Sequence, residues 1–181
     1  MKALIWPDKK LVKVCKEVGP KDWPKVGKMV KDMEEAMFEY YHHKEFGVIH
    51  GVGFAANQIG YDYRIFLMCS NNKDGKKKKD VRVFINPKLF MHGRSIETQL
   101  EMCLSIPDQH KEIQRWATVT AKWQDIEGKT HVERLNRWES KIFQHEYDHI
   151  NGVVCLHKED PHPICDIENC EVCKKGRFVY E

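Results

Sequence analysis

The chain has 181 residues, of which 41% are hydrophobic and 31% charged, and it carries a formal net charge of +3. That length fits one domain of roughly 100–200 residues, and the composition excludes a mostly disordered chain. No apolar run approaches the ~20 residues of a membrane span, the short apolar stretch Ala3 to Trp6 ahead of Pro7-Asp8 falls well below a signal-peptide core, and so small a net charge implies no whole-protein field for nucleic acid.

Residues 1–20 read as an extended arm broken by Pro7 and ended by Gly19-Pro20. Asp22 is placed to cap a helix over 23–43, with Pro24 in its first turn. Within it Val26, Met29, Val30, Met33, Met37, Tyr40 and Tyr41 recur at steps of three and four, which makes one apolar face. The methionines suit a plain core facing a sheet better than an adaptable groove. The segment Lys44 to His50 leads into a Gly-punctuated stretch, Gly51 to Gly60. Arg64 to Cys69 reads as a strand, and Val81 to Ile85 alternates as a second strand that runs to Asn86-Pro87. Lys76 to Lys79 sit in the turn between them, as a solvated hairpin tip rather than an RNA contact. Ala117, Val119, Ala121 and Trp123 alternate with polar residues, Glu127-Gly128 turns the chain, and Thr130 to Arg134 pairs back as an antiparallel hairpin. A second helix is expected over 137–151, stopped by Gly152. Strands joined by hairpins between two helices indicate an α+β fold with an antiparallel sheet.

The chain has seven cysteines and ten histidines. An odd cysteine count without a secretion signal points to a reducing compartment with thiolates free for metal. The strongest local signal is His145-Glu146-Tyr147-Asp148-His149. On a helix, residues i and i+4 lie about 40° apart, so both imidazoles face one ion, while Glu146 stands beside it as a proton acceptor for water. Trp138 and Ile142 continue the histidine face at steps of three and four and make it apolar. A catalytic site needs a third protein ligand and an open position. Cys155 stands at the last-ligand spacing of the metzincin proteases, with Gly152 at their turn glycine, although those proteases use histidine there. Cys103, in Glu101-Met102-Cys103-Leu104-Ser105, is the other candidate. Spacing alone leaves both open.

Three segments together resemble one family, the peptide deformylases. Gly51, Gly53, Ala55, Ala56 and Gln58 match its motif G-x-G-L-A-A-x-Q, with Phe54 for Leu. Glu101, Cys103, Leu104 and Ser105 match E-G-C-L-S, with Met102 for Gly. Gln144, His145, Glu146, Asp148, His149 and Gly152 match Q-H-E-x-D-H-L-x-G, with Ile150 for Leu. Order and rough spacing agree, over residues 4–158.

The resemblance implies an antiparallel sheet packed around a central helix bearing the HExxH motif, with a long N-terminal helix. It implies a metal-dependent hydrolase that removes the N-formyl group from formyl-methionine at the start of new polypeptides. Cys103, His145 and His149 would hold one divalent ion, Fe(II) natively, with nickel, cobalt or zinc as substitutes. Glu146 would carry the proton, and Gln58 with the backbone N–H of Leu104 would steady the oxyanion. Val52, Ile142 and Trp138 would line the methionine pocket, and the backbone of Gly53 and Met102 would hold the peptide as an added strand. Met102 replaces a glycine: a left-handed backbone there would strain it, whereas a side chain pointing away would change only substrate fit. The partners implied are the formylated nascent chain and a transient ribosome contact, with no membrane and no nucleic-acid site. The setting implied is the cytoplasm of a bacterium or phage-infected host, or an organelle after processing, and not secretion.

The expected organisation is a catalytic domain over 1–158 and a Cys-rich tail over 159–181. The tail supports two readings. His162, Cys165, Cys170 and Cys173 suit a second, structural zinc, or the thiols are free on a loose tail. Two rival functions accompany these: a zinc peptidase using His145, His149 and Cys155, and a non-enzymatic zinc-binding module.

Overall fold

A computed structural model describes residues 2–41, 51–70 and 80–155. The N-terminal arm is interrupted by one short 3₁₀ turn, Lys9–Val12, started by the Asp8 carboxylate accepting from the Lys10 amide. Helix α1 spans Trp23–Tyr41. Val26, Met29, Val30, Met33 and Met37 are all buried, so the apolar spacing does mark core. Asp22 ties the start of α1 to the rest of the fold: its carboxylate accepts from the Tyr63 hydroxyl at 2.7 Å and from the Gly19 amide.

Strands β1 (Gly51–Ala55), β2 (Ile65–Ser70), β3 (Asp80–His92), β6 (Thr118–Gln124) and β7 (Thr130–Asn136) form one sheet in the order β1-β2-β3-β6-β7. Strands β4 (Ile96–Cys103) and β5 (Ile106–Trp116) form a separate two-stranded sheet. Every pairing between these strands is antiparallel, so the class is α+β. Two expectations need correction. Among the described residues there are two sheets rather than one, and the β4–β5 hairpin falls where the sequence pattern predicts no strands. The second strand also does not stop at Asn86-Pro87. It continues to His92 through register shifts between Ile85 and Lys88 and between Leu89 and Met91. Asn86 takes a left-handed φ of 49°, a conformation asparagine tolerates. Its side chain accepts from the Val18 amide and donates to the Val18 carbonyl. A bulge of this kind accommodates Pro87, which has no N–H for the ladder.

Alternation along β2 and β3 divides the core. Ile65, Leu67, Cys69 and Ile85 face α1, and Phe66, Met68 and Phe84 face the other way, toward Phe143, Tyr147 and Ile150 of helix α2 (Arg137–Ile150). Phe66 and Phe84 stack at 4.9 Å, with Phe143 edge-on to both, a geometry that adds to plain burial. The opposite side of α2 faces the β4–β5 hairpin. Gln144 clamps Trp116, accepting from its amide at 3.0 Å and donating to its carbonyl at 2.9 Å. After α2 the chain turns at Gly152, where φ is 75° and a Cβ would stand 2.6 Å from the Val12 carbonyl oxygen, so only glycine lets the N-terminal arm pass. The run Lys44 to His50, the Lys76–Lys79 tip and the tail residues His162, Cys165, Cys170 and Cys173 lie outside the described residues.

Candidate active site

Two elements meet at the site. Strand β4 ends in Cys103, and α2 presents His145 and His149 one turn apart. The ligand atoms of these three residues lie within 4.8 Å of one another, and Cys103 Sγ is 3.2 Å from His149 Nε2. Among the described residues they are the one group of three or more His, Cys, Asp and Glu side chains close enough to share an ion.

The group is braced from behind. His145 Nδ1 lies 2.7 Å from Glu101 Oε2. A carboxylate can only accept, so Nδ1 carries the proton and Nε2 is left for a metal, the usual way a carboxylate orients a ligating histidine. Glu101 is in turn gripped by Arg115, whose Nε and Nη2 donate to its two oxygens at 2.7 and 2.8 Å. Arg115 Nη1 donates to Asp148 on α2. Arg115 has no exposed surface, and Glu101 and Asp148 are buried with it. Asn57 completes the bracing by donating to the His149 carbonyl at 2.7 Å.

Electrostatics follow from this packing. Burial disfavours the Glu101 charge, but Arg115 and His145 together outweigh it and hold the carboxyl well below its usual range. Burial likewise opposes the Cys103 thiolate, yet the adjacent histidines pull the thiol well below its ordinary value. A thiolate with two imidazoles is a donor set that suits Fe(II), Ni, Co or Zn.

Glu146 is buried beside the group without joining it, and its Oε2 finds no hydrogen-bond partner. Burial raises its carboxyl to about 7. Gln58 approaches from the 3₁₀ turn Ala56–Ile59 that follows β1. Its Oε1 accepts from the Ala55 amide at 2.8 Å, and its Nε2 donates to Ser105 Oγ at 3.1 Å and points at Cys103 Sγ at 3.9 Å. An acceptor-anchored amide with its NH₂ turned to the metal group is a hydrogen-bond donor fixed in place.

A profile described as polypeptide deformylase matches residues 1–162. The chain belongs to this family. A peptide deformylase of Bradyrhizobium diazoefficiens is 34% identical over 83% of this chain and 82% of its own length. The crystal structure of peptide deformylase from Thermotoga maritima superposes with a TM-score of 0.69 at 30% identity, covering 85% of this chain and 93% of that one. A probable peptide deformylase from Synechococcus phage S-SSM7 gives 0.74 at 25% identity, over 86% and 97%.

The remaining residues can be placed against the deformylase pattern. Met102 has no left-handed φ and is 43% exposed; it points away from the buried side of β4, so replacing the family's glycine strains nothing. Leu104, Val52, Trp138 and Ile142 are half-buried; Leu104 and Val52 pack against the core on the α1 side, and Ile142 against the core on the α2 side. Lys141, between Trp138 and Ile142, pairs with Glu97 of β4 at 2.7 Å. Cys155 is buried close by but outside the ligand group, and burial pushes its thiol up. Sequence reasoning assigned no role to Arg115, Ser105, Asn57 or Gln144. Gln144 and Ser105 were visible inside the motifs. Arg115 had no signal, because its partners sit 14 and 33 positions away.

Proposed function

We infer that this deformylase holds one divalent ion on Cys103, His145 and His149 and uses Glu146 as its proton carrier. The observation that supports this reading is the convergence of a thiol, two imidazoles and a separate carboxylate with one unpartnered oxygen in one buried spot. In this reading α2, bearing the HExxH motif, is the central helix and α1 the long N-terminal helix; the contacts of α2 with strands of both sheets support it. Fe(II) is the native ion in this reading, and nickel, cobalt and zinc are its substitutes. A divalent ion in such a site supplies Lewis acidity and lowers the pKa of water from 15.7 toward about 7.

The substrate is a polypeptide that begins with formyl-methionine. Its extended backbone lies along Gly53 of β1 and Met102 of β4, with the methionine side chain against Val52, Ile142 and Trp138. Gln58 Nε2 and the Leu104 backbone N–H donate to the formyl oxygen as it gains charge. Removing one such donor typically costs about 10²–10³ in rate. Glu146 accepts the proton of the attacking water. The new C–O bond forms at the formyl carbon, the C–N bond breaks, and Glu146 returns the proton to the departing amine. The products are formate and a free amino terminus. Acting on chains still being made implies a transient ribosome contact and a cytoplasmic or organellar setting. In this reading residues 1–158 are the catalytic unit and 159–181 a Cys-rich tail to which no role is assigned.

Glu146→Gln keeps the shape and removes the proton acceptor. Formate release from a formyl-methionyl peptide is expected to fall by about 10²–10⁴ with the metal content per chain unchanged. A variant that keeps more than about a tenth of the wild-type rate would refute the assignment.

A further inference from the structure

Gly53 sits in the middle of β1, opposite Met68, between two residues that carry side chains. Its φ lies outside the left-handed region, so the backbone there accepts any L-residue. In a strand interior glycine is a poor choice, since it gains no packing and loses the most entropy on folding. The reason for glycine lies across the site. A Cβ at position 53 would stand 2.3 Å from Glu146 Oε1, 2.5 Å from its Cγ and 2.6 Å from its Cδ. Such separations are far inside van der Waals contact. Glu146 is only 3% exposed and sits between Tyr147 and His145 on a helix packed against β1, so its side chain has little room to give way.

We propose that Gly53 is a positioning residue for Glu146: the missing side chain is the space that the carboxylate occupies, and β1 thereby fixes where that carboxylate stands relative to Cys103, His145 and His149. The inference rests on Glu146 being the proton carrier. The first atoms that a side chain at position 53 meets all belong to Glu146, so an added methyl displaces the carboxylate. Misplacing a catalytic group by about 1 Å is enough to cost 10²-fold in rate.

The test is a double-mutant cycle between Gly53→Ala and Glu146→Ala, read in two ways on the metal-loaded full chain. Gly53→Ala alone should lower kcat about 100-fold, change KM little and leave the metal per chain intact. It should also lower the melting temperature by about 3–10 °C, the scale of an overpacked core in a chain of this size. In the Glu146→Ala background, which lacks all three clashing atoms, the same alanine should leave the melting temperature unchanged or raise it. An equal drop in both backgrounds would overturn the proposal, because the methyl would then be clashing with something else. A raised KM with unchanged kcat would also overturn it, since that is the signature of a lost backbone contact to the peptide. The melting arm does not depend on what Glu146 does chemically. A Glu146→Gln enzyme that stays active would therefore sink the proton-carrier role while leaving the steric coupling to be judged separately.

Discussion

Cys103 and Cys155 belong to one apolar cluster, together with Leu11, Ile106, Ile113 and Val154, and both are buried. What separates them is company. Cys103 has His149 Nε2 at 3.2 Å and Gln58 Nε2 at 3.9 Å, whereas the Cys155 thiol is governed by burial, which keeps it protonated. Cys103→Ala is therefore expected to lose the ion, and Cys155→Ala to keep it, in a direct measurement of metal per chain. Equal retention in the two variants would contradict the ligand set. At this scale the sequence was most readable where one short segment carries the geometry. His145, Glu146 and His149 lie within five positions on one helix, and helical spacing alone places them. Cys103 is 42 positions from His145 and on another element, so no local spacing distinguishes it from Cys155. It was singled out by resemblance, and the distances now give it a physical basis.

The bracing of β4 against α2 belongs to the scale of elements. Arg115 on β5 joins Glu101 on β4 to Asp148 on α2, so the strand bearing the thiol and the helix bearing the imidazoles share one buried cation. Removing one member of a buried ionic group leaves the others uncompensated, at a cost of about 3–5 kcal/mol. Arg115→Met should lose stability by that amount in denaturant unfolding, and a loss below about 1 kcal/mol would mean that the network is not held as described. The pH dependence follows from Glu101. Its carboxyl is held below the ordinary value of 4.5 in the folded chain, so its contribution to stability is present above pH 4.5 and is lost as the pH falls below it. Unfolding free energy of the metal-free protein should therefore decline more steeply in acid for the wild type than for Glu101→Gln. Parallel acid limbs would contradict this. The β4–β5 hairpin also shows why pattern reading failed at this scale. On β4 the usual alternation is inverted: Ile96, Leu100 and Met102 are exposed, while Glu101 and Cys103 are buried. A rule that sends apolar side chains inward cannot find a strand whose inward face is built for ionic and metal chemistry.

Across the whole molecule, the five-stranded sheet separates two cores, and α2 links one of them to the hairpin. The α+β class and the antiparallel pairing were readable from the alternation along β3 and β6, the turn that pairs β6 with β7, and the apolar face of α1. The division into two sheets was not, because it depends on β4 and β5, and neither was the passage of β3 beyond Pro87, which depends on a bulge. What this architecture achieves is the assembly of a thiol and two imidazoles that could hold a metal ion, from elements that are distant in sequence and fixed by buried polar contacts. X-ray absorption on protein loaded with Fe(II) or Zn(II) and handled without air tests that claim most directly. The account predicts one sulfur and two imidazole nitrogens among the metal's ligands, with Zn–S near ~2.3 Å and Zn–N near ~2.0–2.1 Å in the zinc form, and loss of the sulfur signal in Cys103→Ala but not in Cys155→Ala. A first shell without sulfur, or one whose sulfur disappears only with Cys155, would contradict it.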